Sequence, residues 1–406
     1  MQFTFRVRPL GIAVITMAGL SGPRAGAEVN LPPGFEVVTF AVNDFGCTNA
    51  DINDCGEIAF AQYQAYGGNH AEVFVYDNGQ ITRITDNNDR DVFPFINNRG
   101  QILWGRGLRN HGVTQLVLYD DGQETLIDEF KKSFNGWSLN NLGHIAWTRS
   151  QRWRRCPIKE NMFIWDGLTT RQVTFDEEVS NVQASLNDHG DYAWARAWWC
   201  EQPWVSEIHL MVNGEDRTIP SPDPQNQGQK LSNAGWIVWR SSPYVVLWDG
   251  TQTRQLVEHG SGVPNLNDNG RVYIPVWDFI VQNKFQPWVL DIDDEGLRSF
   301  RIADVPWSFS RGYVNNWGEV SCIWYEDPPN SNWRGGVLLL RHIRSGDSEF
   351  DGDIDLLDYR ILSEGMTGPV RTDGLCQNRF LDIDYDGDLD LADFSRLQNA
   401  FTGASP

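Results

Sequence analysis

Two stretches near the C-terminus space their carboxylates as a hard divalent cation requires. In the first, Asp347, Glu349, Asp351, Asp355 and Asp358 stand at positions 1, 3, 5, 9 and 12 of a twelve-residue loop, with Asp353 at position 7. The second repeats the phrase with Asp382, Asp384, Asp386, Asp390 and Asp393, and Asp388 at position 7. Oxygens at 1, 3 and 5, a backbone carbonyl at 7 and a carboxylate at 12 can wrap a cation at about 2.4 Å. Glycine at position 6, Gly352 or Gly387, permits the sharp turn on that path. The apolar residues at position 8, Ile354 and Leu389, would pin each loop to its partner. Two bound calcium ions are therefore expected. So acidic a run is otherwise a solvated tail, but two in-register copies, each with its glycine, argue against that.

Position 12 is Asp rather than the Glu of intracellular sensor loops. One amphipathic segment follows each loop, Leu357–Leu362 and Ala392–Leu397, and no helical pattern precedes either. This duplicated loop–helix arrangement over residues 346–403 resembles the type I dockerin module of secreted, polysaccharide-degrading systems. The resemblance implies a small fold organised by two calcium ions, with a cohesin domain as its docking partner. Loop positions 10 and 11 hold Leu356-Leu357 and Leu391-Ala392, where cellulosomal dockerins usually carry a polar pair such as Ser-Thr.

A chain of 406 residues has room for more than one domain. Residues 1–27 read as a secretory signal peptide: Arg6 and Arg8 in a basic start, an apolar stretch from Leu10 to Leu20, and Ala25-Gly26-Ala27 as the cleavage site. The apolar stretch is too short to span a bilayer, so no transmembrane segment is expected, and the mature protein is expected to be secreted, periplasmic or on the cell surface. Six cysteines suit an oxidising compartment. They allow fifteen pairings; the preferred ones are Cys47 with Cys55, at short range, and Cys156 with Cys200, one repeat apart, leaving Cys322 and Cys376. A net charge of −21 argues against nucleic acid as a partner.

The elements that would present a ligand come from a repeat. An apolar-Asn/Ser-x-x-Gly-x-apolar phrase occurs seven times, with its glycines at 56, 100, 143, 190, 235, 270 and 318. A spacing near 45 residues is that of a four-stranded propeller blade. Asn or Asp before Gly supplies a tight turn, and the following residues alternate as a strand, as in Gln101-Ile102-Leu103-Trp104. A second Gly turn comes about twenty residues later, so each period reads as strands A, B, C and D. The fold class is mainly β: a seven-bladed β-propeller over residues 33–343, followed by a small α-helical calcium-binding module. The repeat resembles that of TolB-type propellers. The last period lacks a D strand, and Phe35–Phe40 is expected to supply it and close the ring. Trp104, Trp147, Trp194 and Trp239 recur at one strand position and are expected in the core.

In this order the B–C and D–A loops share one face. The B–C loops are rich in Arg and Trp, and the candidate ligand-binding residues there are Arg152, Trp153, Arg154, Arg155, Trp198, Trp199, Trp204, Trp277 and Trp333. Aromatic faces stack on sugar rings and Arg forks pair with carboxylates or sulfates, so an anionic polysaccharide is the natural ligand. His70 and His111 lie in these loops too, but no residue set names a reaction. The expectation is an exported protein whose propeller binds a glycan or protein and whose tail attaches it to an extracellular or surface assembly. The alternative is a polysaccharide-degrading enzyme, a glycoside hydrolase or polysaccharide lyase.

Overall fold

The computed structural model describes residues 31–401 except position 33 and the segments 65–69, 109–112, 132–135, 153–158, 199–204, 259–261, 279–283, 294–295, 303–306, 327–333, 344–345, 347–353, 366–380 and 384–388. Residues 1–27, read above as a signal peptide, lie outside them. Twenty-eight strands between Phe35 and His342 pair into seven four-stranded units. Two neighbouring couples of units are linked by single parallel bridges, Ala71 to Arg90 and Glu160 to Ser180. The large domain is a β-propeller. Its closing strand is Phe35–Asn43, which runs antiparallel to Gly335–His342 with Phe35 opposite His342 and Phe40 opposite Val337. The N-terminal strand thus completes the last blade as its outermost strand, and pairs the edge that Gly335–His342 would otherwise leave open.

The turn between strands A and B explains the recurring Asn-x-x-Gly. All seven glycines have φ between 74° and 86°, a region closed to most side chains. The Asn Oδ1 accepts the backbone N–H four residues on, as in Glu57 to Asn53 at 2.9 Å and Arg271 to Asn267 at 2.8 Å. Its Nδ2 is then free to reach the next blade. Asn53 donates to the carbonyl of Asn97, Asn97 to Asn140, Asn140 to Asn187, and Asn187 to Ser232, at 2.8–3.4 Å. Asn267 donates to Asn315, and Asn315 to Asn53. Only Ser232, which has no amide, omits the donation.

A second circle uses the next residue of each turn. The backbone N–H of Asp54 bonds the Asn98 Oδ1, and the pattern passes through Asn141, Asp188, Asn233, Asp268 and Asn316 back to Asp54, each at 2.5–2.9 Å. Each of the three acids also accepts Nδ2 bonds from an Asn on either side. The alternation of Asp and Asn keeps the three charges apart while satisfying their oxygens. Between blades, apolar clusters hold the sheets face to face, with Trp104, Trp147 and Trp239 at 0–1% exposure and Trp194 at 3%, as the strand position predicted.

In the C-terminal module, helices Leu356–Gly365 and Leu391–Ala400 pack through Ile354, Leu362, Leu381, Leu389 and Leu397. Ile354 and Leu389 are the two position-8 residues, and they share this one core. Among the described residues, no helix is long and apolar enough to cross a membrane.

One pairing expectation fails. Cys47 and Cys322 carry free thiols, and Cys55 is disulfide-bonded, so no Cys47–Cys55 bridge forms. Cys47 opens the strand Cys47–Ile52, and Cys55 lies beyond its far end. An extended strand of that length separates them by roughly 20 Å, whereas a disulfide needs Cα atoms within about 7 Å. Cys156, Cys200 and Cys376 lie outside the described residues.

Candidate functional site

The innermost strands converge on a central channel, and their residues line it in tiers counted back from the turn Asn or Ser. Four residues before it stand Asn49, Phe93, Gly136, Gln183, Gly228, Val263 and Arg311; two before it stand Asp51, Phe95, Ser138, Ser185, Lys230, Asn265 and Tyr313. Five of the seven strands carry a register shift at the upper tier. At these bulges Asn49, Phe93 and Gln183 take φ of 48°, 55° and 59° and Gly228 is also positive, as is Gly136 of the same tier, whose strand pair has no shift. Such a conformation costs about 1–3 kcal/mol at a non-glycine residue and gathers where a backbone is shaped for a task.

The upper tier opens into a funnel of about 200 Å³. Its wall includes Phe93, Trp137, Gln183, Gln229, Arg311 and Tyr313, with Lys230 at its floor. In the lower tier Asp51, Ser138, Ser185 and Asn265 each accept the backbone N–H of the next blade's inner strand, at 2.9–3.2 Å. The other three close the channel. Lys230 Nζ lies 5.0 Å from the Phe95 ring centre and 5.7 Å from that of Tyr313, and these two rings meet edge-on at 5.7 Å. The Tyr313 hydroxyl donates to Asn49 Oδ1.

Electrostatics set this floor apart. Burial pushes the Lys230 ammonium down; Asp51 partly offsets this, and Arg311 lowers it further. Burial likewise drives the Asp51 carboxyl up, against bonds from backbone N–H groups and the field of Lys230. Arg311 leans its guanidinium over Phe93, 5.5 Å from the ring centre. Neither Lys230 nor Arg311 is ion-paired to a carboxylate among the described residues.

The expected rim differs. Of its candidates, Trp198 and Trp277 have described side chains. Trp198 lies beside Arg196, whose guanidinium is 5.6 Å from the ring centre, and Trp277 packs edge-on against Phe285 at 4.6 Å. Neither lines the funnel. Arg152 belongs to the strand Ile145–Arg152, its side chain outside the described set, as are Trp153, Arg154, Arg155, Trp199, Trp204 and Trp333. Four arginines at the outer ends of the B strands and the loops that follow are paired, Arg106 with Asp91 and Glu124, Arg196 with Asp176, Arg149 with Asp128 at 3.7 Å and Arg334 with Glu326 at 4.0 Å, whereas the Nε of Arg240 in the fifth blade is buried without a hydrogen-bond partner. His70 is held 2.9 Å from the buried Glu72. Burial raises the Glu72 carboxyl, but bonds from Thr85, His70, Asn87 and Arg83 outweigh this and hold it low. That cluster ties the third and fourth strands of the first blade to the segment that leads into the second; His111 lies outside the described residues.

In the module, Asp355, Asp358, Asp382, Asp390 and Asp393 are described, and the other seven candidate ligands are not. Asp358 and Asp393 are fully buried and Asp382 nearly so. Asp390 caps the second helix by accepting the Ala392 N–H, and Asp393 returns the bond to the Asp390 N–H at 3.0 Å. Asp393 also accepts the Ile383 N–H, which draws the start of the loop to its end. The first loop repeats the pairing, with Asp358 taking the Asp355 N–H at 2.8 Å. In the second loop the carboxylates at positions 1 and 12, Asp382 and Asp393, are both buried, and carboxylate oxygen is the donor type calcium takes; among the described residues no group of three such side chains stands together.

No family model matches the chain, and no curated protein does. Among solved structures, the β-propeller domain of the trilobed protease from Pyrococcus furiosus is similar with a TM-score of 0.52 at 12% identity, covering 73% of this chain and 97% of that one. Pyrococcus horikoshii acylaminoacyl peptidase follows at 0.50 and 12%, covering 73% and 52%. TolB from Acinetobacter baumannii scores 0.44 at 15% identity, with 64% of each chain covered. The chain thus spans less than two thirds of the TolB and peptidase chains it matches. What the two likenesses at 0.50 and above show is the propeller fold.

Proposed function

We propose that this is an exported, calcium-binding protein whose propeller captures a glycan or protein ligand at the mouth of its central channel. The dockerin-like tail, organised by two calcium ions, attaches the propeller to a partner in an extracellular, periplasmic or cell-surface assembly. A cohesin-like domain is the partner that the tail's resemblance suggests. The observation that carries the ligand reading is a contrast in charge. Arg106, Arg149, Arg196 and Arg334 lie against neighbouring acids, whereas Lys230 and Arg311, on the floor and wall of an aromatic-lined funnel, are ion-paired to no carboxylate among the described residues. Unpaired cations beside aromatic rings and strained backbone are the mark of a prepared binding surface.

The enzymatic alternative would centre on Asp51, whose raised carboxyl could move a proton near neutrality. Glycoside hydrolysis ordinarily needs a second carboxylate across the scissile bond. Asp51 is the only acid in either channel tier, so binding is the reading we retain. The test is to incubate the protein with a panel of neutral and acidic polysaccharides and follow binding, reducing ends and unsaturated products. Binding without turnover, weakened in Lys230→Met, supports the reading. Release of sugar ends would overturn it in favour of the enzyme, and binding that ignores Lys230→Met would move the site off the funnel.

A further inference from the structure

Lys230 and Arg311 line the same small mouth, and the field of Arg311 further depresses the Lys230 ammonium. Like charges are held together at a cost that an arriving anion relieves. The surroundings narrow what that anion is. The rings of Phe93, Trp137 and Tyr313 offer flat apolar faces. Gln229 is 2% exposed; its Nε2 donates to the carbonyls of Val182 and Gln183, and its Oε1, buried at the funnel wall, has no hydrogen-bond partner. A buried acceptor left open calls for a hydroxyl or N–H donor. A funnel of about 200 Å³ has room for one ring with its substituents.

Resting on the funnel reading above, we propose that the mouth captures the carboxylate of a single acidic sugar residue between Lys230 and Arg311, and that Asp51 takes up a proton as it does so. The sugar's ring packs on the aromatic wall and a hydroxyl donates to Gln229 Oε1. The proton follows from charge. Among the described residues, Lys230, Arg311, Tyr313 and Asp51 are the charged and titratable groups whose fields bear on this floor; Asp51 is the one carboxylate, and it shares the lower tier and the turn-side recess with Lys230 rather than lining the funnel itself. A ligand carboxylate drawn to Lys230 repels Asp51 and strengthens the hold of Lys230 on its own proton. Burial has already placed the Asp51 carboxyl high, so the pair responds near neutral pH. One proton from solvent balances the step, and no bond of the ligand is broken.

The experiment is calorimetric titration of the full chain with D-glucuronate, with D-glucose as neutral counterpart and N-acetylglycine as a non-sugar carboxylate. Titrations in buffers of differing ionisation heat count the protons. D-Glucuronate should bind at least about tenfold more tightly than the other two, with uptake of roughly half a proton or more near pH 7.5. Lys230→Met and the exposed Arg311→Gln should each remove most of the preference over glucose. Asp51→Asn keeps an oxygen for the Ile96 N–H, and should bind D-glucuronate without proton uptake. Equal binding of glucose and glucuronate, lost in Trp137→Ala, overturns the carboxylate but spares the funnel. Preference for N-acetylglycine overturns the sugar class, and no binding by any of the three overturns the funnel with it. Proton uptake that persists in Asp51→Asn overturns the role given to Asp51.

Discussion

Asn315 donates its side-chain amide to the carbonyl of Asn53 at 3.1 Å, joining turns 262 residues apart in sequence. The same bond, repeated from blade to blade, makes the turn residue a ring closure as well as a local cap. Asn315 is 3% exposed, and its Oδ1 also accepts the Glu319 N–H at 2.9 Å. Asn315→Ala should therefore cost about 2–3 kcal/mol by leaving buried groups without partners, measured by denaturant unfolding.

Ser232 is the one turn residue without an amide to pass on. Ser232→Asn would supply an Nδ2 toward the Asn267 carbonyl while its Oδ1 replaced the hydroxyl that now accepts the Trp236 N–H. A gain of about 1 kcal/mol is expected. An unchanged or lower unfolding midpoint would show that the ring does not add stability through this bond.

Acid should loosen the closing blade through His342. Burial holds this imidazole down at about 4, and its Nε2 donates to the Trp317 carbonyl at 2.8 Å. The unfolded chain binds a proton near 6.5 while the folded one does not. The contribution, about 3 kcal/mol by linkage, is thus full above that value and lost as pH falls from 6.5 toward 4. His342→Gln should show a shallower loss of unfolding midpoint between neutral pH and pH about 4.5 than the parent chain. Parallel losses would contradict the assignment.

Calcium should be counted by titration of the chelator-stripped protein. Two ions are expected, falling to one in Asp351→Ala or Asp386→Ala, with loss of helical signal on chelation. The Asp390–Asp393 capping pair sustains part of the second helix by itself, and Asp390→Ala should cost about 1 kcal/mol with metal bound. Retention of full helicity without metal would argue that the caps alone hold the module.

The blades were legible because turn chemistry and strand alternation repeat with a period: Gly56 to Gly318 marked every turn, and Phe35–Phe40 was visible as a strand without a partner. The funnel was harder to read. Lys230 and Asp51 sit in strands like any other residue, and only counting back from the turn Asn exposes them as the one cation and one acid of their tier. The bulges at Phe93 and Gln183, which reshape the upper tier, have no sequence mark, since neither residue favours positive φ. Arginine-rich loops drew attention to the rim because composition cannot show that Asp91, Asp176 and Asp128 lie against those arginines. Cys47 and Cys55 looked adjacent for a similar reason: eight residues are close in sequence, but a strand stretches them apart.

A crystal structure with D-glucuronate bound would decide whether the channel mouth is the binding site. One ligand is expected there, its carboxylate at Lys230 and its ring against Trp137. A ligand found instead on the outer loops beside Trp198 or Trp277, with the funnel unoccupied, would contradict this placement.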